Sequence, residues 1–294
     1  MMKLWNKLLD KSIFFSFDKS GYERHKKEYF KELVPTDIGV TFITGGTSGI
    51  GEAVADFLSS NSVIVVGRDE SKFKGNDGRS FIKWDVSDWT AIDSFIHDLP
   101  IIDNLVLNAG GMPENYSVNE QGIEMQCASQ LLGHIILLKR LIAANKLNEN
   151  AKVIITSSGG MLLKKLKVSN LFFTNDYDKV ETYANVKRAQ VIMNEILAKE
   201  YSSLQFACMH PGWVETTAVK EALPGFYKRM GNRLRSPEMG ADTINFLICN
   251  KFKSGEFWFD RKITNTHLCF LTRETQEKRI LLKDKINKLI EEFI

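Results

Sequence analysis

Residues 40–51 read VTFITGGTSGIG, which places an apolar strand, a glycine-rich turn and the start of a helix in direct succession. We predict the strand over Val40–Thr44 and the helix from about Ile50 to Ser60. Such a turn can bind a pyrophosphate, because free backbone N–H groups and the positive end of a helix dipole attract the anion. Glycines at 45, 49 and 51 allow close backbone approach. An ordinary tight turn is the alternative, and the strand–turn–helix context favours the phosphate site.

The rest of the chain alternates short apolar runs with longer segments of helical period, the pattern of βαβ units around a parallel sheet. Further strands are expected at Ser62–Val66, Phe81–Trp84, Leu105–Leu107, Val153–Thr156, Leu204–Met209 and Phe257–Phe259. Further helices are expected at about Glu120–Asn145, Glu181–Tyr201 and Pro237–Cys249. We therefore predict an α/β fold with a doubly wound, seven-stranded parallel sheet and helices on both faces.

Three features depart from this rhythm. Only 12 residues separate Arg68 from Phe81, and a parallel crossover needs about a dozen at least, so we expect a shortened second crossover. Residues 1–39 form an N-terminal helical extension to the 40–260 dinucleotide-binding and catalytic domain. Residues 261–294 form a C-terminal extension with an amphipathic helix. The apolar face of this helix comprises Leu282, Ile286, Leu289, Ile290 and Phe293.

Composition excludes several classes of protein. The 294 residues are 44% hydrophobic and 26% charged, which is ordinary for a globular chain. Thirty-nine basic and 36 acidic residues leave a net charge of +3, too balanced to indicate a nucleic-acid partner. The four cysteines form no ligand-spaced cluster, so we expect no metal site and reduced thiols in the cytoplasm.

No apolar run of about 18 residues predicts a membrane-spanning helix. The N-terminus nevertheless places Leu4, Trp5, Leu8 and Leu9 beside Lys3, Lys7 and Lys11. This pattern suits either a helix at a membrane surface or a segment packed on the domain. Peripheral membrane contact therefore remains open at this stage.

The tip of the second strand carries the signal for cofactor preference. It reads Val66-Gly67-Arg68-Asp69, with an arginine where an acidic residue would bind a ribose 2′-hydroxyl. A guanidinium matches a 2′-phosphate well, so NADP(H) is favoured over NAD(H). A solvated loop arginine is the alternative.

A tyrosine and a lysine lie four residues apart in the helix expected after the fifth strand, at Tyr183 and Lys187. Residues at this spacing face the same way. A nearby cation favours the phenolate, and such a tyrosine can exchange a proton with a carbonyl or alcohol oxygen. Because ligands bind at the carboxyl ends of parallel strands, further candidates follow three other strands. These are Asn108-Ala109-Gly110, Ser157-Ser158 and the segment His210–Thr216.

The combination of TGGTSGIG, NAG, SSGG, YANVK and HPGWVETT resembles the short-chain dehydrogenase/reductase family over about residues 40–260. The resemblance implies a Rossmann fold and hydride transfer between a nicotinamide cofactor and a carbonyl or alcohol. It makes Tyr183 the general acid/base, has Lys187 bind the nicotinamide ribose and lower the tyrosine pKa, and has Ser158 bind the substrate oxygen. Pattern and resemblance together give the cofactor-binding set: Thr44, Gly45, Thr47, Ser48, Gly49, Ile50, Gly51, Arg68, Asp85, Val86, Asn108, Ala109, Gly110, Tyr183, Lys187, Pro211, Gly212, Val214 and Thr216.

One position departs from the family pattern. Family members usually carry an asparagine that supports a proton-relay water beside the lysine, and here Gln130 takes its place. Glutamine has the same donors and acceptor on a longer stem. We therefore keep a second hypothesis, a cofactor-binding regulatory or scaffold protein with little activity.

Substrate and assembly are predicted less narrowly. Phe226, Tyr227 and Met230 lie where family members build the substrate lid, so they favour a lipophilic carbonyl compound, unless they only pack the core. His134 and His210 flank the site and are interpreted as structural residues. The helix of Tyr183 often forms dimer faces in the family, so a homo-oligomer is possible unless the terminal extensions cover that helix.

Overall fold

The computed structural model describes residues 9, 10, 12–75 and 78–294. Of the residues expected in an N-terminal interface helix, only Leu9 falls within this range. Leu4, Trp5 and Leu8, with Lys3, Lys7 and Lys11, lie outside it.

Within the described residues, eight strands form one sheet in the order β3-β2-β1-β4-β5-β6-β7-β8. The pairings from β3 across to β7 are parallel, and β7 pairs antiparallel with β8. The strands are β1 (Thr41–Thr44), β2 (Val63–Gly67), β3 (Arg79–Lys83), β4 (Ile102–Leu107), β5 (Leu147–Thr156), β6 (Gln205–Met209), β7 (Glu256–Phe259) and β8 (Lys262–Ile263). The doubly wound α/β fold is confirmed, with one strand more than the seven expected.

The additional strand is a two-residue hairpin partner of β7. Asp260 and Arg261 both have positive φ, at 46° and 62°. Two such residues in succession match the twist of an antiparallel hairpin. A strand of two residues is too short to show an alternation of apolar and polar residues, so it was not predicted from the sequence.

The helices are α1 (Ile13–Phe17), α2 (Lys19–Tyr29), α3 (Gly49–Phe57), α4 (Met125–Cys127), α5 (Gly133–Ala143), α6 (Lys179–Glu200), α7 (Thr217–Ala222), α8 (Pro224–Met230), α9 (Pro237–Cys249) and α10 (Gln276–Ile290). A π-helical segment, Ala128–Leu132, joins α4 to α5. The expected helix at Glu120–Asn145 therefore begins later, because Gly122 has a φ of 74° and Glu124 caps the first N–H groups.

The sheet separates two apolar cores, and alternate strand residues enter opposite ones. Phe42 faces the core beneath α5, α6 and α10, whereas its neighbour Ile43 faces the core beneath α3 and α9. Strand β1 is buried along its whole length, and the last three residues of β4 are buried and apolar, as expected for parallel strands covered by helices.

The second crossover is short, as expected. Between β2 and β3 the described residues form one turn of 3₁₀ helix, Glu70–Lys72. Phe73 covers the adjacent sheet face by stacking on Phe81, with ring centroids 5.2 Å apart. A single aromatic ring thus covers part of the surface that a crossover helix would otherwise bury.

Both terminal extensions pack on the domain. Phe17 of α1 is buried in the larger core. In α10, Leu282, Ile286 and Ile290 are fully buried in the same core, and Leu289 and Phe293 are packed against it. The helix that follows residue 274 therefore contributes to the core and lies against α6.

We expect Ile286→Ala to lower the free energy of unfolding by about 2–4 kcal/mol, because it leaves a cavity in a packed core. The neighbouring exposed side chain provides the control, since Lys285→Ala should change stability by less than about 0.5 kcal/mol. Denaturant titration of both variants measures the difference. Equal effects would show that α10 is not part of the folding unit.

Candidate active site

The carboxyl end of β5 and the first turns of α6 meet around one lysine. Asp178 caps α6 by accepting hydrogen bonds from Val180 N and Glu181 N. Two turns later, Lys187 Nζ donates a 2.9 Å hydrogen bond to the carbonyl oxygen of Thr156. Ser157 Oγ donates a 2.9 Å hydrogen bond to the carbonyl oxygen of Lys187. Helix and strand are therefore joined at the residue expected to carry the positive charge.

Ser158, Tyr183 and Lys187 come together at this junction. The Tyr183 hydroxyl is hydrogen-bonded to the Ser158 side chain. Lys187 Nζ lies 5.3 Å from the centre of the Tyr183 ring. Lys187 is buried, whereas Ser158 and Tyr183 keep some exposure.

Burial dominates the protonation of this pair. It raises the pKa of Tyr183 to about 12, although the hydrogen bond from Ser158 acts in the opposite direction. Burial also lowers the pKa of Lys187 to about 7. Removal from water penalises the charged form of both groups, and it outweighs the influence that lowers the tyrosine pKa.

The glycine-rich turn between β1 and α3 forms a cradle against the loop after β4. Gly45 has a φ of 67°, and a Cβ atom there would lie 2.8 Å from Ala109 Cα. A Cβ atom on Gly51 would collide with the carbonyl oxygen of Gly45. The Ser48 side chain makes no capping hydrogen bond at the start of α3. The start of α3 therefore presents the uncapped N–H groups and the positive dipole end that a diphosphate would need.

A buried threonine connects that cradle to the loop after β4. Thr44 Oγ1 accepts hydrogen bonds from Asn108 N (2.9 Å) and Ala109 N (3.1 Å). It also lies 3.0 Å from His134 Nε2, while His134 Nδ1 lies 2.9 Å from the carbonyl oxygen of Gln130. Burial and the nearby Lys187 lower the pKa of His134 to about 3, so the ring is neutral. Donation from Nδ1 to the carbonyl leaves Nε2 to accept from the threonine, which agrees with the structural role expected for this histidine.

Gln130 lies in the π-helical segment. Its Nε2 donates a 2.7 Å hydrogen bond to the carbonyl oxygen of Gly111, beside Gly110. Its backbone oxygen accepts from Gln190 Nε2 at 2.6 Å as well as from His134. The backbone acceptor is thus already occupied by two protein donors. Gln190 escaped sequence reasoning, because a glutamine inside a helix carries no pattern of its own.

The tips of β2 and β3, where the adenosine side of the cofactor is expected, lie beside the glycine-rich turn. Thr47 packs against Gly67. Arg68 is largely exposed, and its Nη1 lies 3.8 Å from Asp85 Oδ2. Asp69 instead caps the turn that follows it by accepting from the backbone N–H and hydroxyl of Ser71. The adjacent Val86 is buried.

The opposite wall comes from the segment after β6. Thr216 caps α7 through Val219 N and lies over Gly49. Val214 is buried against Gly240 and bridges to Arg235. The predicted residues at 214 and 216 therefore face the glycine-rich turn across the cleft.

Arg235 holds this wall in place, a role that sequence reasoning missed. It is fully buried and forms an ion pair with Asp260 through Nη1 and Nη2, at 2.6 and 2.9 Å. It also donates to the carbonyl oxygens of Pro211 (3.2 Å) and Ser16 (2.9 Å), and a Cβ atom on Gly212 would collide with its guanidinium. An arginine and an aspartate 25 positions apart give no local signal of this contact.

Comparison with known proteins identifies the family of this chain. The family model for short chain dehydrogenases matches residues 39–225. This chain belongs to the short-chain dehydrogenase/reductase family. Human dehydrogenase/reductase SDR family member 12 is 33% identical, over 94% of this chain and 93% of that protein. Human polyprenol dehydrogenase is 27% identical, over 85% of this chain and 82% of that protein.

Solved structures of low identity share the fold. An uncharacterised protein from Mycobacterium paratuberculosis superposes with a TM-score of 0.71 at 19% identity, covering 88% of this chain and 96% of that chain. A 3-ketoacyl-(acyl-carrier-protein) reductase from Brucella melitensis, solved in complex with NADH, gives a TM-score of 0.58 at 21% identity, covering 74% of this chain and 95% of that chain. The chain is thus an oxidoreductase of this family, with a fold that binds an NAD(P)-type cofactor.

Two further searches concern the described residues alone. None of their helices is both long and apolar enough to cross a bilayer. They also contain no group of three or more His, Cys, Asp or Glu side chains placed to hold a metal ion.

The low pKa of Lys187 gives a pH-dependent stability. Its folded pKa of about 7 lies below the ordinary value of 10.5, so the unfolded chain binds the additional proton between these two values. The stability penalty is therefore complete below pH 7 and is relieved as pH rises towards 10.5. Without cofactor, Lys187→Met should be more stable than the parent at pH 6.5, with a difference that shrinks by pH 9.5.

Denaturant unfolding at several pH values measures this difference. Lys199→Met, an exposed lysine on the same helix, is the matched control and should show a pH-independent difference. A constant difference for Lys187→Met would refute the buried, weakly basic lysine.

Proposed function

We propose that this protein transfers a hydride between NADP(H) and the carbonyl or alcohol group of a lipophilic substrate. The observation that carries the proposal is the meeting of Ser158, Tyr183 and Lys187 at the carboxyl end of β5, on the sheet edge that also carries the glycine-rich turn. Ligands of open α/β sheets bind along this edge.

The protein supplies the proton and the orientation. Bound NADP(H) would supply the hydride for reduction or accept it for oxidation. With a pKa of about 12, the Tyr183 hydroxyl is protonated at neutral pH and can give its proton to a carbonyl oxygen. The Ser158 hydroxyl can donate a second hydrogen bond to the same oxygen. The Lys187 ammonium group lies over the Tyr183 ring, with Nζ 5.3 Å from the ring centre.

Two contacts support NADP(H) over NAD(H). The exposed guanidinium of Arg68 lies at the tip of β2, where a 2′-phosphate would be recognised. The nearest alternative ligand for a ribose hydroxyl, the Asp69 carboxylate, is engaged by Ser71. An exposed guanidinium suits a phosphate better than a neutral ribose.

A line of aromatic rings supports a lipophilic substrate. Trp213 packs edge-on against Phe14 at 5.8 Å and against Phe226 at 5.4 Å. Phe17 approaches Gly159, the residue after Ser158, so closely that a Cβ atom there would lie 2.5 Å from the ring. The N-terminal extension thus joins the predicted lid in an apolar wall beside the catalytic serine. The similarity to a polyprenol dehydrogenase points to the same substrate class.

We also place the protein in a reducing compartment such as the cytoplasm. All four cysteines are free thiols, and Cys127 and Cys208 are buried. Burial raises the pKa of both, which keeps the thiols protonated.

A cofactor-binding protein with little activity is the second candidate. It is favoured by Gln130, which stands where the family usually has asparagine and whose side-chain nitrogen bonds the carbonyl oxygen of Gly111. Slow or absent turnover with retained NADPH binding would support this candidate.

The first test is Tyr183→Phe. Removing the proton donor should lower kcat for NADPH-dependent reduction at least about 100-fold, while the Kd for NADPH changes less than about threefold. Steady-state assays should use straight-chain aldehydes of increasing length, with longer chains giving the higher kcat/KM. Tyr177→Phe is the control, because Tyr177 lies on the loop before α6 and bonds Pro113 instead of the catalytic group.

Tight NADPH binding without turnover by the parent protein over the whole panel would favour the second candidate. An active Tyr183→Phe variant would remove the catalytic assignment.

The second test concerns cofactor preference. Arg68→Ala should raise the KM for NADPH about tenfold or more, the loss expected for one charge-assisted hydrogen bond to a phosphate. The KM for NADH should change by less than about threefold, since NADH has no 2′-phosphate. Asp69→Asn is the matched control and should leave both constants nearly unchanged. A parent enzyme that prefers NADH, with a preference unaffected by Arg68→Ala, would contradict the assignment.

A further inference from the structure

The segment between β8 and α10 is held at its base by a buried arginine. Arg188 is almost completely buried, and its guanidinium forms an ion pair with the equally buried Glu274. It also donates to the carbonyl oxygen of Thr266 and lies against His267. Both ends of residues 266–274 are therefore fixed to α6, at the position next to Lys187.

The tip of the same segment exposes large apolar side chains. Leu268, Phe270 and Leu271 are 52%, 74% and 65% exposed, whereas Thr272 turns inward and bonds His267 Nδ1. Leu268 N donates a 3.1 Å hydrogen bond to the carbonyl oxygen of Leu162. This contact places the next residue, Leu163, beside the segment, and Leu163 is 59% exposed. We call these four residues, Leu163, Leu268, Phe270 and Leu271, the apolar tip.

Folding alone gives no reason for this arrangement. Clustered exposed apolar residues on a soluble protein mark a contact surface. The apolar tip joins two segments that are far apart in sequence, and a buried ion pair holds one of them in place. A loop that only connects β8 to α10 would need neither feature.

Positive charge flanks the apolar tip on both segments. Lys165 follows Leu163 by two positions, and Arg273 follows Leu271 by two positions; both are exposed. Apolar side chains with basic residues beside them are typical of a surface that binds membranes. The apolar side chains enter the acyl region, and the cations contact anionic headgroups.

We propose that the apolar tip inserts into the surface of a lipid bilayer that carries anionic headgroups, with Lys165 and Arg273 at headgroup level. The proposal does not rest on the assignment of the substrate. Its position nevertheless bears on access to the site, because Leu163 ends the 3₁₀ segment Gly159–Leu163 that Ser158 caps. A membrane bound here would lie beside the carboxyl end of β5.

The basic residues also argue against a second copy of this chain as the occupant. A two-fold contact would use the same patch on both subunits. Lys165 and Arg273 would then meet only other positive charges across the apolar centre, and like charges in contact oppose association. Anionic lipid provides the complementary charge.

Vesicle co-sedimentation of the full-length protein tests the proposal, with phosphatidylcholine vesicles prepared with and without phosphatidylserine. The parent should bind the anionic vesicles, and Phe270→Ser/Leu271→Ser should weaken that binding about tenfold or more. Val34→Ser/Ile101→Ser is the matched control, because these exposed apolar residues precede β1 and β4 at the opposite edge of the sheet. It should change binding less than about twofold.

A second pair of residues tests the charge contribution. Lys165→Gln/Arg273→Gln should weaken binding to anionic vesicles by about fivefold per charge removed. Its binding to pure phosphatidylcholine should stay within about twofold of the parent. An equal loss on both kinds of vesicle would overturn the headgroup placement.

Fluorescence keeps the test decisive if the double serine variant fails to fold. In Phe270→Trp, the emission relative to the parent should shift to the blue on addition of anionic vesicles and be quenched by brominated lipid. An unchanged difference spectrum, a parent that binds no vesicle, or a serine variant that binds like the parent would each overturn the proposal. Concentration-dependent dimerisation of the parent, lost in the serine variant without vesicle binding, would assign the apolar tip to a second copy instead.

Discussion

The hydrogen bond from Lys187 Nζ to the carbonyl oxygen of Thr156 is the contact on which the active site depends. It joins the middle of α6 to the end of β5 and so determines where the Tyr183 ring lies relative to Ser158. The contact also has a cost, since an ammonium at this depth is removed from water. Burial lowers the lysine pKa and raises the tyrosine pKa, so it disfavours the charged form of both groups.

Two other buried cations, Arg235 and Arg188, also join segments that are distant in the sequence. Arg235 ties α1 and the segment after β6 to Asp260, and Arg188 ties residues 266–274 to α6. Burying such pairs is weak evidence for stability, because desolvation offsets much of the attraction. Their value here is geometric. Each brings a terminal extension to the rim of the cleft, where it adds an aromatic wall on one side and an apolar surface on the other.

The relation between Gln130 and its neighbours shows how a substitution is absorbed within a conserved fold. The longer side chain reaches Gly111, and its backbone carbonyl is occupied by Gln190 and the neutral ring of His134. The same histidine orders Thr44, whose hydroxyl accepts two N–H groups of the loop after β4. The glycine-rich turn and Gln130 are thus parts of one hydrogen-bond network that passes through Thr44 and His134.

The sequence by itself determined the parallel sheet, the glycine-rich turn, the pairing of Tyr183 with Lys187 and the limits of Pro237–Cys249. These features rest on local periodicity and on residues four or fewer positions apart, which physical rules translate directly into shape. The helix at 125–143 was predicted too long and β5 too short, because Gly122 and the polar start of β5 obscure the boundaries. Only the tertiary structure decided the Arg188 and Arg235 contacts, the burial that sets both pKa values, and the exposure of the apolar tip. Each of these depends on residues that are distant in the chain. Local sequence patterns do not show which distant residues pack together and exclude water.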